Sequence, residues 1–103
     1  MNLTSKQRAY LKGLAQTIEP VFSIGKSSVT PEVTESVTEC FNTKELIKGT
    51  VQKNCLDDVK EVANTVADRT RSTLVQVIGR KFVLYKPFKD DPKIILPKTK
   101  KEK

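Results

Sequence analysis

The chain has 103 residues, with 19 lysines and arginines against 12 acids, a formal charge of +7, and 37% hydrophobic residues. That length sets a single domain of ordinary size, and the lack of any histidine excludes histidine-based triads and histidine metal sites. The charge points to a polyanionic partner, most simply nucleic acid, although a basic protein without such a partner has the same composition.

Thr4, Ser5, Lys6 and Gln7 predict a capping box, in which threonine and glutamine each satisfy the other's backbone N–H. Tyr10, Leu11, Leu14, Ala15 and Ile18 follow at helical spacing, with Lys6, Arg8 and Lys12 opposite. Pro20 ends this first helix. Residues 21–24 read as a short strand that stops at Gly25. Thr30 then caps a second helix with Pro31 in its first position, where the missing N–H costs nothing. Val33, Val37, Cys40 and Phe41 form its apolar side, and Glu32, Glu35 and Glu39 another. Residues 45–52 predict a second strand. A third helix is expected from Leu56 to Arg69, with Leu56, Val59, Ala63, Val66 and Ala67 buried and Asn54 or Asp57 helping at its start. Residues 73–78 and 81–86 are joined by Gly79 and Arg80, a two-residue hairpin signature. Residues 93–97 either add an edge strand or pack as an extended tail. The order α-β-α-β-α-β-β implies an α/β two-layer sandwich. It spans residues 1–97 as one domain, and 98–103 form a basic, disordered tail.

Little in this chain suits catalysis. Asp57-Asp58 and Asp90-Asp91 are adjacent pairs, and adjacent positions diverge on a helix or a strand instead of converging as an acid/base pair. The serines have no evident base. Cys40 and Cys55 are too few for structural zinc without histidine. Cys40 reads as core, and a disulfide is disfavoured in an intracellular setting. The N-terminus lacks a signal-peptide apolar region, and no apolar run approaches the ~20 residues that span a bilayer. The expectation is a cytoplasmic, monomeric binding protein with no membrane association, no cofactor and no enzymatic activity.

The turn after the first strand holds Gly25, Lys26, Ser27 and Ser28. One reading is a simple strand-to-helix connection. The other is a phosphate cradle, with a flexible glycine, a lysine charge, two hydroxyls and the N–H groups of a helix start directed at an anion. A Walker loop is excluded, because the second glycine and the lysine–threonine pair are missing. Lys48 in the second strand and Arg80 and Lys81 in the hairpin add charge, while acids gather in the second and third helices. Residues 72–89 contain four basic residues and no acid. This asymmetry predicts a directed basic face joining the hairpin to the first helix or the glycine turn. Tyr10, Phe82, Tyr85 and Phe88 are candidates for stacking on bases, with core packing as the competing role.

Four blocks, "LTSKQRAYLKGLA", "VFSIGKSSVT", "ELIKGTV" and "VQVIGRKFVLYKP", resemble in order and spacing the CRM domain (chloroplast RNA splicing and ribosome maturation), in its stand-alone bacterial YhbY-like branch. The resemblance runs from Leu3 to about Pro97. It implies a KH-like fold, similar also to the C-terminal domain of a bacterial translation initiation factor. It further implies RNA binding and association with ribosomal RNA of the large-subunit precursor. The family turn is Gly-Lys-x-Gly, like the GxxG loop with which KH domains clamp nucleic-acid backbone. Gly25 and Lys26 match it, and Ser28 replaces the second glycine. The rival reading is an adaptor that binds a ribosomal protein, with RNA contact incidental.

Overall fold

In the computed structural model, which describes residues 2–97, each helix begins where a side chain supplies an acceptor. Thr4 Oγ1 accepts from the Gln7 N–H, and Gln7 Oε1 accepts from the Thr4 N–H, both at 3.1 Å. This closes the predicted capping box of α1 (Ser5–Ala15). Thr30 Oγ1 accepts from the Val33 N–H at 3.1 Å, and Pro31 opens α2 (Pro31–Cys40). Asp58, not Asn54 or Asp57, caps α3 (Val59–Thr70) by accepting from the Glu61 N–H. The tail expected at residues 98–103 lies outside the described residues.

Two helix boundaries differ from the pattern reading. α1 ends at Ala15, where Gln16 and Ile18 donate to the carbonyls three residues back and tighten the chain out of the α-helix. Ile18 still packs against buried Leu11 and Ala15, whereas Tyr10 and Leu14 are exposed. α3 starts three residues after Leu56, which is 95% exposed. The segment before it is held as a turn by the Cys55 N–H bonded to the Gln52 carbonyl. Cys55 is therefore the residue that turns into the core. Both cysteines are free.

The strands β1 (Phe22–Ile24), β2 (Leu46–Val51), β3 (Thr73–Ile78) and β4 (Lys81–Tyr85) form one sheet in the order β1-β2-β4-β3. β1 runs parallel to β2, and β4 is antiparallel to both β2 and β3. Strand alternation divides the core. Ile24, Ile47, Val51, Phe82 and Leu84 pack against Val37 of α2, Phe41 at its C-cap, and Val62, Ala63 and Val66 of α3. These two helices form one helical side of the α/β sandwich. On the opposite face Leu46, Val75, Val83 and Tyr85 pack with Leu11 and Ala15 of α1, and Ile94 and Leu96 join them. Residues 93–97 are thus an extended packed segment and not an edge strand. Phe82 and Tyr85 are core residues, and neither is available for stacking. Burial pushes the Tyr85 phenol up, and the charge of Glu45 adds to that effect.

Gly49 in mid-β2 is a packing glycine. A Cβ there would come within 2.3 Å of the Phe22 ring. That ring lies over the glycine and meets Phe82 edge-on at 5.6 Å between centroids. The hairpin turn is made as predicted. Gly79 has φ +58° and Arg80 has no positive φ, the sign pattern of a II′ loop with glycine first.

Candidate nucleic-acid interface

Because β1 and β2 are parallel and β4 runs back against β2, three connections meet at one end of the sheet. These are the glycine turn after β1, the segment after β2, and the β3–β4 hairpin. The N-termini of α2 and α3 open there as well, each following one of these connections. Gln52 ties the three together. Its N–H donates to the Ile24 carbonyl at 2.8 Å, and its side chain donates to Ser23 Oγ at 3.1 Å. Its carbonyl accepts from Arg80 Nη2 at 2.6 Å. The hairpin and the glycine turn are therefore neighbours.

The turn itself closes with the Ser28 N–H donating to the Gly25 carbonyl at 2.9 Å. The residue in the left-handed region is Ser28, at φ +60°, and not Gly25. Gly25 has a different constraint: a Cβ there would lie 3.2 Å from Gln52 Oε1. Ser28 thus holds the backbone conformation natural to the glycine it replaces, and only a Cβ and a hydroxyl are added. Lys26 and Ser27 are exposed at the tip. α2 opens at Pro31, with the positive end of its dipole at this end of the sheet. A cleft of about 330 Å³ lies between β1 and α2, lined by Val21, Phe22, Ser23, Glu32, Val33 and Ser36 and by no residue of the turn.

The left-handed backbone at Ser28 carries a stability consequence. An L-residue there loses about 1–2 kcal/mol relative to a right-handed conformation, and glycine's extra unfolded freedom returns roughly 0.5–1 kcal/mol of that difference. Ser28→Gly should therefore stabilise the protein by about 0.5–1 kcal/mol in urea unfolding. A measured loss of stability would mean that the serine hydroxyl contributes more than its backbone strain costs.

The remaining candidates divide between structural and open positions. Arg80 donates from Nε to the Val51 carbonyl at 2.8 Å and from Nη2 to the carbonyls of Gln52 and Cys55. It pins the segment between β2 and α3. Arg8 donates from Nη1 to the carbonyls of Leu74 and Val75, at 2.8 and 2.6 Å, where β3 breaks its register against β4. Pattern reading missed these roles, because a bond to a distant carbonyl leaves no local signal. Lys6 and Lys12 are exposed on α1, Lys81 is exposed at the start of β4, and Lys48 is half-buried on β2. Outside the candidate set, Lys86 donates to the Thr70 carbonyl at the C-terminus of α3, 3.0 Å away, and sits over the Phe41 ring. No group of three or more histidine, cysteine or carboxylate residues among the described residues is placed to hold a metal ion. No helix of the described residues is long and apolar enough to cross a membrane.

Known proteins resemble this chain in sequence and in fold. The family model for the CRS1 / YhbY (CRM) domain matches residues 3–86. The chain is 39% identical over 95 residues to the Probable RNA-binding protein YqeI of Bacillus subtilis, covering 92% of this chain and 99% of that protein. It is 34% identical to a protein of Haemophilus influenzae named RNA-binding protein, over 93% and 96% of the two chains. The solution structure of a Staphylococcus aureus protein, described as a candidate RNA binder, superposes with a TM-score of 0.79 at 43% identity. That match covers 93% of this chain and all of the other.

Proposed function

The chain belongs to the CRS1 / YhbY (CRM) domain family, and on that premise we propose that it is a non-catalytic RNA-binding protein. Its relatives carry RNA-binding names. The observation that carries the reading to this chain is the turn at residues 25–28. Its fourth residue keeps a left-handed backbone despite being serine. Lys26 stands exposed at its tip, and α2 opens at Pro31, three positions after the turn. A phosphate placed there meets a full positive charge, hydroxyl donors and the helix dipole together. Such contacts fix the orientation of an RNA strand more than they read its bases. The RNA we propose is ribosomal RNA of the large-subunit precursor, and the role is assistance in ribosome assembly in the cytoplasm. The protein acts as a monomer.

The test is titration of Lys26→Ala against a large-subunit ribosomal RNA fragment at two salt concentrations. Loss of one charge-assisted contact should weaken binding about tenfold at low salt. It should also reduce the log–log salt slope by roughly 0.7. Stability should stay within ~0.5 kcal/mol, because the side chain is exposed. An unchanged dissociation constant would remove the turn from the interface. Tight, salt-insensitive binding to a ribosomal protein instead of RNA would favour the adaptor role.

A further inference from the structure

α1 does not cover the whole of its face of the sheet. Register places Ser23, Thr50, Lys81 and Ile78 side by side across all four strands. Thr50 and Lys81 alternate with Gly49, Val51 and Phe82, which face or pack toward α2 and α3, so this row lies on the α1 side. Ser23 and Lys81 are exposed, Thr50 is half-buried and Ile78 is 60% exposed. In the next row Lys48 pairs with Val83, and Val83 with Gln76. Lys48 and Lys81 are therefore diagonal neighbours on adjacent strands, roughly 7–8 Å apart.

α1 forms the wall of this open half. Gln7 and Arg8 lie on opposite flanks of the buried Leu11–Ala15 line, since consecutive helical residues point about 100° apart. Gln7 Nε2 donates to the Pro97 carbonyl, so the C-terminal segment runs along the Gln7 flank. That segment is anchored at the start of β2 by Glu45, the end of the sheet away from the hairpin. On the other flank Arg8 reaches the Leu74 and Val75 carbonyls of β3, and Lys12 follows one turn on, exposed. The resulting trough has Lys48 and Lys81 on its floor. The acids lie elsewhere: α2 carries Glu32, Glu35 and Glu39 with no basic residue, on the far side of the sheet.

Resting on the RNA-binding reading above, we propose that this trough is a second RNA-contact surface, separate from the glycine turn, which holds the sugar–phosphate backbone. Its rows contain no aromatic side chain, so it lacks the stacking platform that seats individual bases. Its chemistry is cationic and hydroxylic: Lys48 and Lys81 for phosphates, Ser23 and Thr50 for phosphate or ribose oxygens. The trough and the turn meet at the hairpin end, so one RNA strand can pass from one to the other around that edge. Contacts of this kind give affinity that is indifferent to sequence and steeply dependent on salt.

The experiment uses a labelled oligouridylate and the full chain, with dissociation constants measured across a salt series. Lys81→Gln should lower the log–log slope by roughly 0.7, and Lys48→Gln with Lys81→Gln by roughly 1.4, one increment per phosphate contact. Lys26→Ala should subtract its own increment additively, because the surfaces are separate. Lys81 is exposed, so its single variant keeps the test valid if replacing half-buried Lys48 disturbs folding. An unchanged slope in Lys81→Gln beside a reduced one in Lys26→Ala would overturn the trough and leave the turn intact. A wild-type protein that binds neither this oligonucleotide nor ribosomal RNA would overturn the RNA-binding reading itself.

Discussion

Glu45→Ala is expected to destabilise the protein by about 3 kcal/mol, which for a domain of this size lowers the melting temperature by roughly 12–24 °C. Glu45 is only 4% exposed, yet its carboxylate is fully engaged. Oε2 accepts from the Phe88 N–H at 2.7 Å, and Oε1 accepts from the N–H groups of Lys93 and Ile94 at 2.9 and 2.7 Å. Its backbone carbonyl accepts from the Lys86 N–H as well. One side chain therefore folds the whole segment after β4 back onto the sheet and seats Ile94 and Leu96 against the α1 core. Each bond to a charged acceptor contributes about 1.5–3 kcal/mol. The partly buried donors recover some of that from water after truncation, which brings the sum down to the figure given. Glu45→Gln keeps one acceptor oxygen and should lose about half as much. By contrast, the exposed Lys93–Asp91 ion pair at 2.8 Å should contribute no more than ~1 kcal/mol. Thermal and urea unfolding of Glu45→Ala, Glu45→Gln and Asp91→Ala check the ranking. A Glu45→Ala protein as stable as wild type would show that the segment holds itself in place.

Gly49→Ala should cost about 2–3 kcal/mol, at the upper end of the range for overpacking. The added carbon would fall 2.3 Å from the Phe22 ring. Phe22 is half-buried at the sheet edge, so its ring can swing out, but only by giving up its edge-on contact with Phe82. A double-mutant cycle separates this from a simple loss of strand geometry. In a Phe22→Leu background the space is already open, and Gly49→Ala should then cost less than ~1 kcal/mol. Equal costs in both backgrounds would place the strain in the backbone instead of the ring.

Legibility in this chain followed the range of the interaction. Thr4 with Gln7 and Thr30 with Pro31 act within one turn, and Gly79 acts within its own loop, so the helix starts and the hairpin could be read from adjacent residues. The element order followed from them. Leu56 shows where periodicity misleads. It continues the apolar phase of α3 backwards, but Arg80 and Gln52 hold the preceding turn so that the helix begins later. Arg8, Arg80 and Glu45 bond to backbone groups 25 or more positions away in the chain, and no local pattern encodes that. In the candidate site, residue types at 25–28 were legible and their conformation was not. The strained φ lies on Ser28, because the chain there must turn into α2 whichever residue occupies the position. The trough was the least visible of all, since Ser23, Thr50, Lys81 and Ile78 become a row only through the register of four strands.

The placement of α2 with its three glutamates on one side of the sheet, and of α1 with Lys6, Arg8 and Lys12 on the other, makes the molecule an electric dipole as well as a cation. The net charge draws it towards a polyanion from any direction, whereas the dipole exerts a torque that turns it during approach. Collisions in low salt should then be biased towards the lysine-bearing face before any contact forms, raising the productive fraction of encounters. The torque weakens once the Debye length, about 10 Å at 0.1 M salt, falls below the thickness of the protein. A charge-reversed α2, with Glu32, Glu35 and Glu39 changed to lysine, carries more positive charge and less polarity. If alignment matters, its association rate should rise less than its added charge alone would produce.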